Sequence, residues 1–509
     1  MGFVLVGLTA TLEVVPGYMD SEYYTVIAER LVAGDGFTEP FLWNYLDEPE
    51  GIPHPSHLYW MPLPSLLAAG SMFFLGGGWR AAQFPFVLLG GFLPILTAGV
   101  ALRLTRDERM AWRAGLLAVV PGFFLPYLGT VDAFAIYAYV GTALFVLLSR
   151  KDQNRKTALL TGLGIAVAHL ARADGVLFIL PAIVVVLLQK ERRMLYAAML
   201  VGGYVAGMAP WWIRNLLTLG VMMPDTSHAF WLTSYDDLFA YPADSINLQR
   251  WLASGWEAIL RARWDALLIN GQRILAEIGM VFLLPFMLIG AWSLRKERLV
   301  QLGALYFAAL FTLMTFVFPF AGANGGMFHS AAAVLPLMLA LSPVGIRSAV
   351  DWIAVRRSWK PEEPLRVFSA AAVVLLAVLT LWATAQRLGW DPPGGTWQEG
   401  AQAYQQVHQQ MMAAGLHEEV VAVNNPPGFY LASRWPAVVI PNGNAAVLEQ
   451  VAERYDVGWV LLEGNHPAAL EPLYQQPESE DWLELVLTME DSDGQPVYLL
   501  RVLKGGASP

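Results

Sequence analysis

The chain has 509 residues, of which 56% are hydrophobic and 15% are charged, and long apolar runs recur along it. This composition excludes a soluble globule and indicates an integral membrane protein. The net charge of -10 argues against a nucleic-acid partner, and the absence of cysteine excludes disulfides, thiolate metal sites and cysteine nucleophiles.

Acidic residues concentrate at the C-terminal end. From Trp390 onward there are 16 acidic and four basic residues, whereas the preceding part holds 26 acidic and 28 basic residues. Such a contrast predicts two regions in different solvents. We expect a membrane domain over residues 1–388 and a soluble acidic domain over residues 389–509.

Apolar runs predict about eleven transmembrane helices. Basic residues fall in every second connection between them, and the positive-inside rule places those connections in the cytoplasm. The predicted fold class is therefore an all-α polytopic membrane domain with its N-terminus inside and its C-terminal domain outside. The runs cover residues 2–16, 84–102, 114–131, 133–148, 157–171, 175–188, 194–213, 278–294, 299–320, 327–346 and 367–384.

The first run is short for a span, and no Lys or Arg precedes Arg30, so the basic start of a signal peptide is missing. We expect either a thin first helix or a start that lies upstream.

Two long external connections follow from this topology, at residues 16–83 and 216–272. In the first, residues 21–34 predict an amphipathic helix lying on the membrane, and residues 64–75 predict an apolar helix too short to cross it. In the second, residues 248–264 predict another surface helix, with tryptophans at the interface.

The C-terminal region alternates between helical and extended patterns, which predicts a small α/β extracytoplasmic domain. It has no phosphate-binding glycine motif and no nucleophile triad, so an accessory or acceptor-positioning role is favoured. Helices are expected at residues 396–414 and 445–455, and strands at 420–423, 437–440, 457–462 and 497–502.

Carboxylates at the predicted outer ends of the spans are the first candidates for chemistry, because ionisable groups at a membrane are costly. Asp20, with Glu22 beside it, lies where the first run meets water and is a candidate general base. An ordinary solvated helix end explains its position equally well. Asp132 lies between two apolar runs and is a second catalytic candidate, although a one-residue polar turn and a helix N-cap each explain its position as well.

Basic groups on the same predicted face are candidates for binding a lipid phosphate, above all Arg172, because a guanidinium offers parallel donors to phosphate oxygens. Arg214 and His329 are the other two, although snorkelling to the interface also explains Arg214. His54 and His57 form an HxxH spacing that is a weak metal signal, and ordinary loop residues are its commoner explanation.

Taken in order, these motifs resemble the GT-C superfamily of polytopic membrane glycosyltransferases. DSEYY and ERLVAGDGF resemble the first-loop catalytic aspartate motif and its helix, and PEGIPHPSHLYWMPLPSLLAA resembles the proline-rich segment that follows it. AGLLAVVPGFFLPYLGTVDAFAIYAY is similar to the second-loop acidic motif of oligosaccharyltransferase catalytic subunits. LARADG and PWWIRN are similar to signatures of the protein-mannosyltransferase-like and aminoarabinose-transferase-like branches. The resemblance extends from about Pro16 to Ala385.

The resemblance implies an inverting glycosyltransferase of the cytoplasmic (plasma) membrane. It would move a sugar from a polyprenyl-phosphate donor in the membrane lipid to a hydroxyl of a glycan, lipid or protein acceptor outside. Asp20 would be the base, and Arg172, Arg214 and His329 would contact the donor phosphate. A divalent metal such as Mg²⁺ or Mn²⁺ at Asp20 and Asp132 stays open.

The chain departs from the family pattern in two places. Ala133 stands where a second carboxylate beside Asp132 is expected, which weakens the metal hypothesis. The C-terminal region has no WWDYG sequence, so a true oligosaccharyltransferase is disfavoured.

Two other functions are alternatives: a transporter or flippase of a lipid-linked glycan, and a non-catalytic envelope protein. The sequence shows no internal repeat of the kind common in transporters. Its two large external connections are also more than a transport cycle needs.

Overall fold

The computed structural model is mainly helical and describes residues 1–189, 193–358, 360–389, 396–492 and 494–503. Lys190 and Arg192, which belong to one of the predicted cytoplasmic connections, lie outside this part of the chain. The α-helices of the first region are α1 Gly2–Leu12, α2 Met19–Ala33, α3 Leu63–Leu75, α4 Trp79–Thr105, α5 Glu108–Val119, α6 Leu125–Leu128, α7 Ala133–Leu148, α8 Arg155–Ala171, α9 Ile179–Leu187, α10 Arg193–Leu219, α11 Leu248–Ala253, α12 Gly255–Arg273, α13 Leu284–Ser293, α14 Arg298–Thr312, α15 Pro319–Ala321, α16 Met327–Ala331, α17 Leu335–Arg357 and α18 Glu362–Leu388.

The protein is a multi-pass membrane protein, and each of the eleven predicted runs overlaps a helix. Within the described residues, five helical stretches are long and apolar enough to cross a membrane, or six if a pair bent by 51° is counted. Because several predicted runs form shorter helices, the number of eleven spans stays a prediction. The five stretches are Trp79–Thr105, Arg193–Leu219, Arg298–Val317, Pro319–Arg357 and Glu362–Leu388; the bent pair is Glu108–Val119 with Gly122–Leu128.

Arginine-rich connections meet at one end of the helical region. Arg347 Nη1 lies 3.3 Å from Asp107 Oδ2, and Arg298 Nη1 donates to the Arg150 carbonyl at 3.4 Å. Connections that are far apart in the chain therefore share one end, as the alternation of basic residues predicts.

The C-terminal region folds as an α/β unit around a mixed sheet. Its helices are α19 Thr396–Ala413, α20 Pro426–Ser433, α21 Ala445–Arg454 and α22 Glu471–Gln475. The strands of the chain are β1 Thr38–Glu39, β2 Phe41–Leu42, β3 His54–Pro55, β4 Val420–Val423, β5 Ala437–Val439, β6 Val457–Leu462, β7 Leu483–Glu490 and β8 Pro496–Val502. All six helices and strands predicted for this region are present; α20, α22 and β7 were not predicted.

The sheet has the order β2-β5-β4-β6-β8-β7, with its first four strands parallel. Strand β2 comes from the first long connection, where Phe41 pairs with Ala437 and Leu42 with Val438. The first connection thus supplies an edge strand to the C-terminal sheet. The predicted boundary at residues 388 and 389 falls at the end of α18.

The prediction that residues 21–34 form a surface helix is half right. A helix is present, but residues 21–28 are all buried. The helix packs on α3 on one side and on α20 of the C-terminal region on another. Both faces are covered, which a pattern with one apolar stripe does not predict.

The predicted surface helix at residues 248–264 is instead two helices, α11 and α12. The break falls at Gly255, whose φ of 82° lies in the left-handed region that favours glycine. Trp256 and Trp264 are exposed, as predicted for an interfacial segment. Helix α10 extends to Leu219, past the predicted start of this connection.

Candidate active site

Asp20 is the second residue of α2 and lies in its first turn; the extended residue Tyr18 directly precedes the helix. Its side chain is 26% exposed, so it faces solvent more than the polar groups around it do. The positive end of the helix dipole favours a carboxylate at this position.

Asp132 caps α7 and also belongs to the same cluster as Asp20. One carboxylate oxygen, Oδ1, accepts from the backbone N–H of Ala133 at 2.5 Å. The other, Oδ2, accepts from the Tyr18 hydroxyl at 2.6 Å and lies 3.1 Å from His329 Nε2. The side chain is fully buried. The two sequence-based explanations, a helix cap and a functional acid, are therefore compatible.

His329 joins the two carboxylates. Its Nε2 lies 3.1 Å from Asp132 Oδ2 and 3.8 Å from Asp20 Oδ2, while Nδ1 is 3.0 Å from the Gly325 carbonyl. A carbonyl and a carboxylate both accept hydrogen bonds, so in this arrangement each ring nitrogen carries a proton. We call Asp20, Asp132 and His329 the aspartate–histidine cluster.

The pKa of Asp20 is raised from its ordinary value to about 6. Burial is the main cause, and it is opposed by the positive charge of His329, reinforced by the negative charge of Asp132 and opposed again by Arg172. Arg172 itself pairs with Asp174, Nε to Oδ1 at 3.4 Å. Asp174 also accepts from the Tyr137 hydroxyl at 2.8 Å and from Ser330, the residue after His329.

Glu22 points away from this cluster. Its carboxylate is buried and accepts from the side-chain amide of Asn425, in the C-terminal region, at 2.7 Å. Burial raises the pKa of Glu22 to about 7, against the lowering effect of that hydrogen bond.

Arg214 lies against the first connection, with its guanidinium over the rings of Trp211 and Phe37 at 4.8 and 5.5 Å. It donates to the Phe37 carbonyl at 2.9 Å and to Asn215 Oδ1 at 3.0 Å. The structure places it in this aromatic contact, and its predicted role at a phosphate stays a prediction.

His54 and His57 have separate partners. His54 lies between two carboxylates, with Nδ1 3.4 Å from Glu39 Oε1 and Nε2 3.1 Å from Asp47 Oδ2. Nδ1 of the fully buried His57 lies 3.0 Å from the Trp60 carbonyl. The structure therefore does not bring these two imidazoles together.

Within the described residues, one group of three potential metal ligands converges, and it is the aspartate–histidine cluster. One ligand atom from each residue lies within 4.8 Å of the others, a separation that ligands around a single divalent ion can have. The predicted pair of Asp20 and Asp132 is thus joined by His329, which was predicted only as a phosphate contact.

Tyr18 and Asn425 were not predicted as site residues. Tyr18 stands two residues before Asp20 in GYMD, but its partner is 114 positions away in the chain. Asn425 belongs to a different region from its partner Glu22, so no local pattern connects them.

Comparison with known proteins gives a match to a family model over part of the chain and a likeness in fold over nearly all of it. Residues 54–213 match the family model of dolichyl-phosphate-mannose-protein mannosyltransferases. This segment holds Asp132 and Arg172 but neither Asp20 nor His329. No functionally curated protein matches the chain.

The whole chain also resembles a solved structure, that of ArnT from Cupriavidus metallidurans bound to undecaprenyl phosphate. The TM-score is 0.57 and the sequence identity 13%, with 99% of each chain covered. This likeness shows that the chain has an ArnT-like fold, and both comparisons agree with the resemblance to the GT-C superfamily that the sequence motifs indicate.

Proposed function

We propose that this chain is an inverting glycosyltransferase that moves a sugar from a polyprenyl-phosphate donor to an acceptor hydroxyl. We place the reaction at the outer face of the cytoplasmic membrane, with the N-terminus inside and the C-terminal region outside. The observation that carries the proposal is the partly exposed Asp20, held beside the fully buried Asp132 and the partly buried His329.

Asp20 is suited to act as a general base. A pKa of about 6 leaves its carboxylate ionised at neutral pH yet more basic than an ordinary aspartate. In the proposed reaction it accepts the proton of the acceptor hydroxyl while that oxygen attacks the anomeric carbon. The bond between this carbon and the phosphate oxygen breaks, and polyprenyl phosphate leaves from the opposite face, so the configuration inverts.

Positive charge near Asp20 supports the departure of the phosphate. His329 and Arg172 both act electrostatically on the Asp20 carboxylate, so they are close enough to act on an anion bound beside it. Fixed positive groups of this kind stabilise charge that develops as a leaving group departs. Arg214 would contact the donor further from the cluster.

The ligand set also fits a divalent cation. Two carboxylates and an imidazole are donors that Mg²⁺, Mn²⁺ or Zn²⁺ accept, although a metal would have to replace the proton on His329 Nε2. When bound, such an ion would offset negative charge on the phosphate. Residues Asp20, Asp132 and His329 would hold it.

Consumption of a donor by the purified protein tests the proposal. The protein is incubated with a panel of polyprenyl-phosphate sugars and an extract of envelope glycans and lipids, and mass spectrometry identifies which donor is consumed. We expect one donor to yield free polyprenyl phosphate and a glycosylated acceptor. Asp35→Asn, at the far end of α2 beside Arg30, is the control that keeps activity.

Two results would contradict the proposal. Consumption of no donor across the panel would favour the non-catalytic envelope protein. Movement of an intact lipid-linked glycan across vesicle membranes, without cleavage, would favour the transporter.

A further inference from the structure

The C-terminal region contacts the helix that carries Asp20, and we infer that it positions this helix for catalysis through Asn425. The inference rests on the proposed function and adds a role for a region with no chemistry of its own. Asn425 follows β4, at the carboxyl end of a parallel strand of the sheet. Its amide nitrogen donates to Glu22 Oε2 at 2.7 Å.

Glu22 connects this contact to the turn of α2 that carries Asp20. The residue is 4% exposed and lies two positions after Asp20 in the first turn of α2. A buried carboxylate that loses its hydrogen-bond donor is strongly disfavoured, so the pair holds α2 against the C-terminal region. Any shift of this turn moves Asp20 relative to Asp132 and His329.

The approach of α20 to α2 is close at this point. Asn425 Oδ1 also accepts from the backbone N–H of Gly428 at 3.2 Å, so one amide joins the start of α20 to α2. A Cβ atom at Gly428 would lie 2.9 Å from Glu22 Oε2 and 2.7 Å from Asn425 Nδ2. No side chain larger than hydrogen fits there without moving the pair.

A second contact joins α20 to α2 further along both helices. Arg434, which ends α20, pairs with Glu29 at 2.6 Å, and Glu29 lies two turns along α2 from Glu22. The Arg434 side chain is 55% exposed, so the pair contributes little by itself.

A third contact reaches the other carboxylate. Trp397, at the start of α19, donates to the Val15 carbonyl at 2.9 Å and packs edge-on against Tyr18 at 5.5 Å. Tyr18 in turn donates to Asp132. The C-terminal region therefore contacts the chain on both sides of Asp20, and Asn425 and Glu22 act as positioning residues.

Asn425→Ser is the variant that tests this role. Serine still caps a helix, so α20 is kept, but its hydroxyl is too short to reach Glu22. We expect kcat per folded molecule to fall about tenfold, as for a small misplacement of a reacting group, with the donor KM close to wild type. The thermal midpoint should also fall, because the buried Glu22 loses its hydrogen-bond donor. Asn424→Ser is the matched control, because the half-buried Asn424 bonds to Asn465 and not to Glu22.

Substitutions of Glu22 separate positioning from catalysis. Glu22→Gln keeps an oxygen that accepts from Asn425 and should retain more turnover than Glu22→Ala. The double variant Glu22→Ala with Asn425→Ser should lose no more than Glu22→Ala alone. The inference would be overturned if Glu22→Gln lost as much turnover as Asp20→Asn while Asn425→Ser kept the wild-type kcat. Glu22 would then be a catalytic residue.

Hydrogen exchange of the full chain separates this inference from the proposed function. Asn425→Ser should speed amide exchange in Met19–Ala33, and Asn424→Ser should not. Faster exchange in a protein that consumes no donor would support the contact and contradict the proposed function. An active protein in which Asn425→Ser keeps both kcat and wild-type exchange would overturn the inference alone.

Discussion

Two histidines in this protein each lie between two carboxylates, and the arrangements differ. At His329, both carboxylates approach the same nitrogen, Nε2, at 3.1 and 3.8 Å. At His54, the carboxylates of Glu39 and Asp47 take one nitrogen each. The first arrangement leaves Asp20 loosely held and partly exposed, whereas the second sets one carboxylate against each ring nitrogen.

This difference predicts different roles for the aspartate–histidine cluster and for the cluster of His54, Glu39 and Asp47. A carboxylate that is not fully paired can exchange a proton with a substrate, which is what a general base needs. An imidazolium between two carboxylates cross-links the segments that carry them, and here Glu39 and His54 face each other across β1 and β3. We therefore expect variants of the first cluster to lose turnover and variants of the second to lose stability.

Asp132→Asn should have the larger effect on turnover. Asparagine has a single oxygen, so it can keep the cap on α7 but then turns an N–H₂ group toward Tyr18 and His329, and it brings no negative charge to His329. We expect kcat per folded molecule to fall by about a hundredfold to a thousandfold. A similar loss of kcat in the His54 cluster would remove the distinction between the two sites. Single-turnover kinetics and a thermal melt of the same sample measure the loss of turnover and the change in stability.

His54→Ala should reverse that pattern. The substitution leaves the buried Glu39 without its partner, and breaking a largely buried ion pair costs about 3 kcal/mol. The thermal midpoint should fall while kcat per folded molecule stays near wild type. Unchanged stability together with lost turnover would contradict the structural role.

The two clusters should also respond to pH in opposite directions. Turnover should rise as the pH passes about 6, because only ionised Asp20 accepts a proton. The pKa of His54 is raised from 6.5 to about 9: burial lowers it, but hydrogen bonds and charge from Asp47 and Glu39 raise it more. Its stabilisation is therefore complete below pH 6.5 and is lost as the pH rises through 9. Activity and thermal midpoint measured from pH 5 to 10 check both trends, and His54→Ala should flatten the second.

Substituting the arginine beside each cluster should have the smallest effect, a change in the donor KM. Arg172 acts on Asp20, whereas Arg214 acts on Glu39 and Tyr23 and is held by two aromatic rings. Arg172→Ala should raise the donor KM about tenfold, and Arg214→Ala should change it less. Equal effects would extend the donor site to Arg214. Initial rates over a range of donor concentration decide between these results.

Sequence patterns predicted the helices and the polar residues at their ends, because periodicity and charge alternation are local signals. They did not predict that residues 21–28 of α2 are all buried, since their second cover comes from α20, about 400 positions later. Neither did they pair His329 with Asp132, 197 positions away, because only the folded chain brings the two together. Strand β2 has two residues, too few for a pattern, and its place in the sheet depends on β5.

The central claim is that Asp20 is the proton acceptor of a sugar transfer, and Asp20→Asn tests it most directly. With the consumed donor bound and in a single turnover, we predict a rate about a thousandfold below wild type, because the amide cannot accept the proton. Donor affinity and thermal midpoint should stay near wild type. Transfer by Asp20→Asn at the wild-type rate would contradict the account.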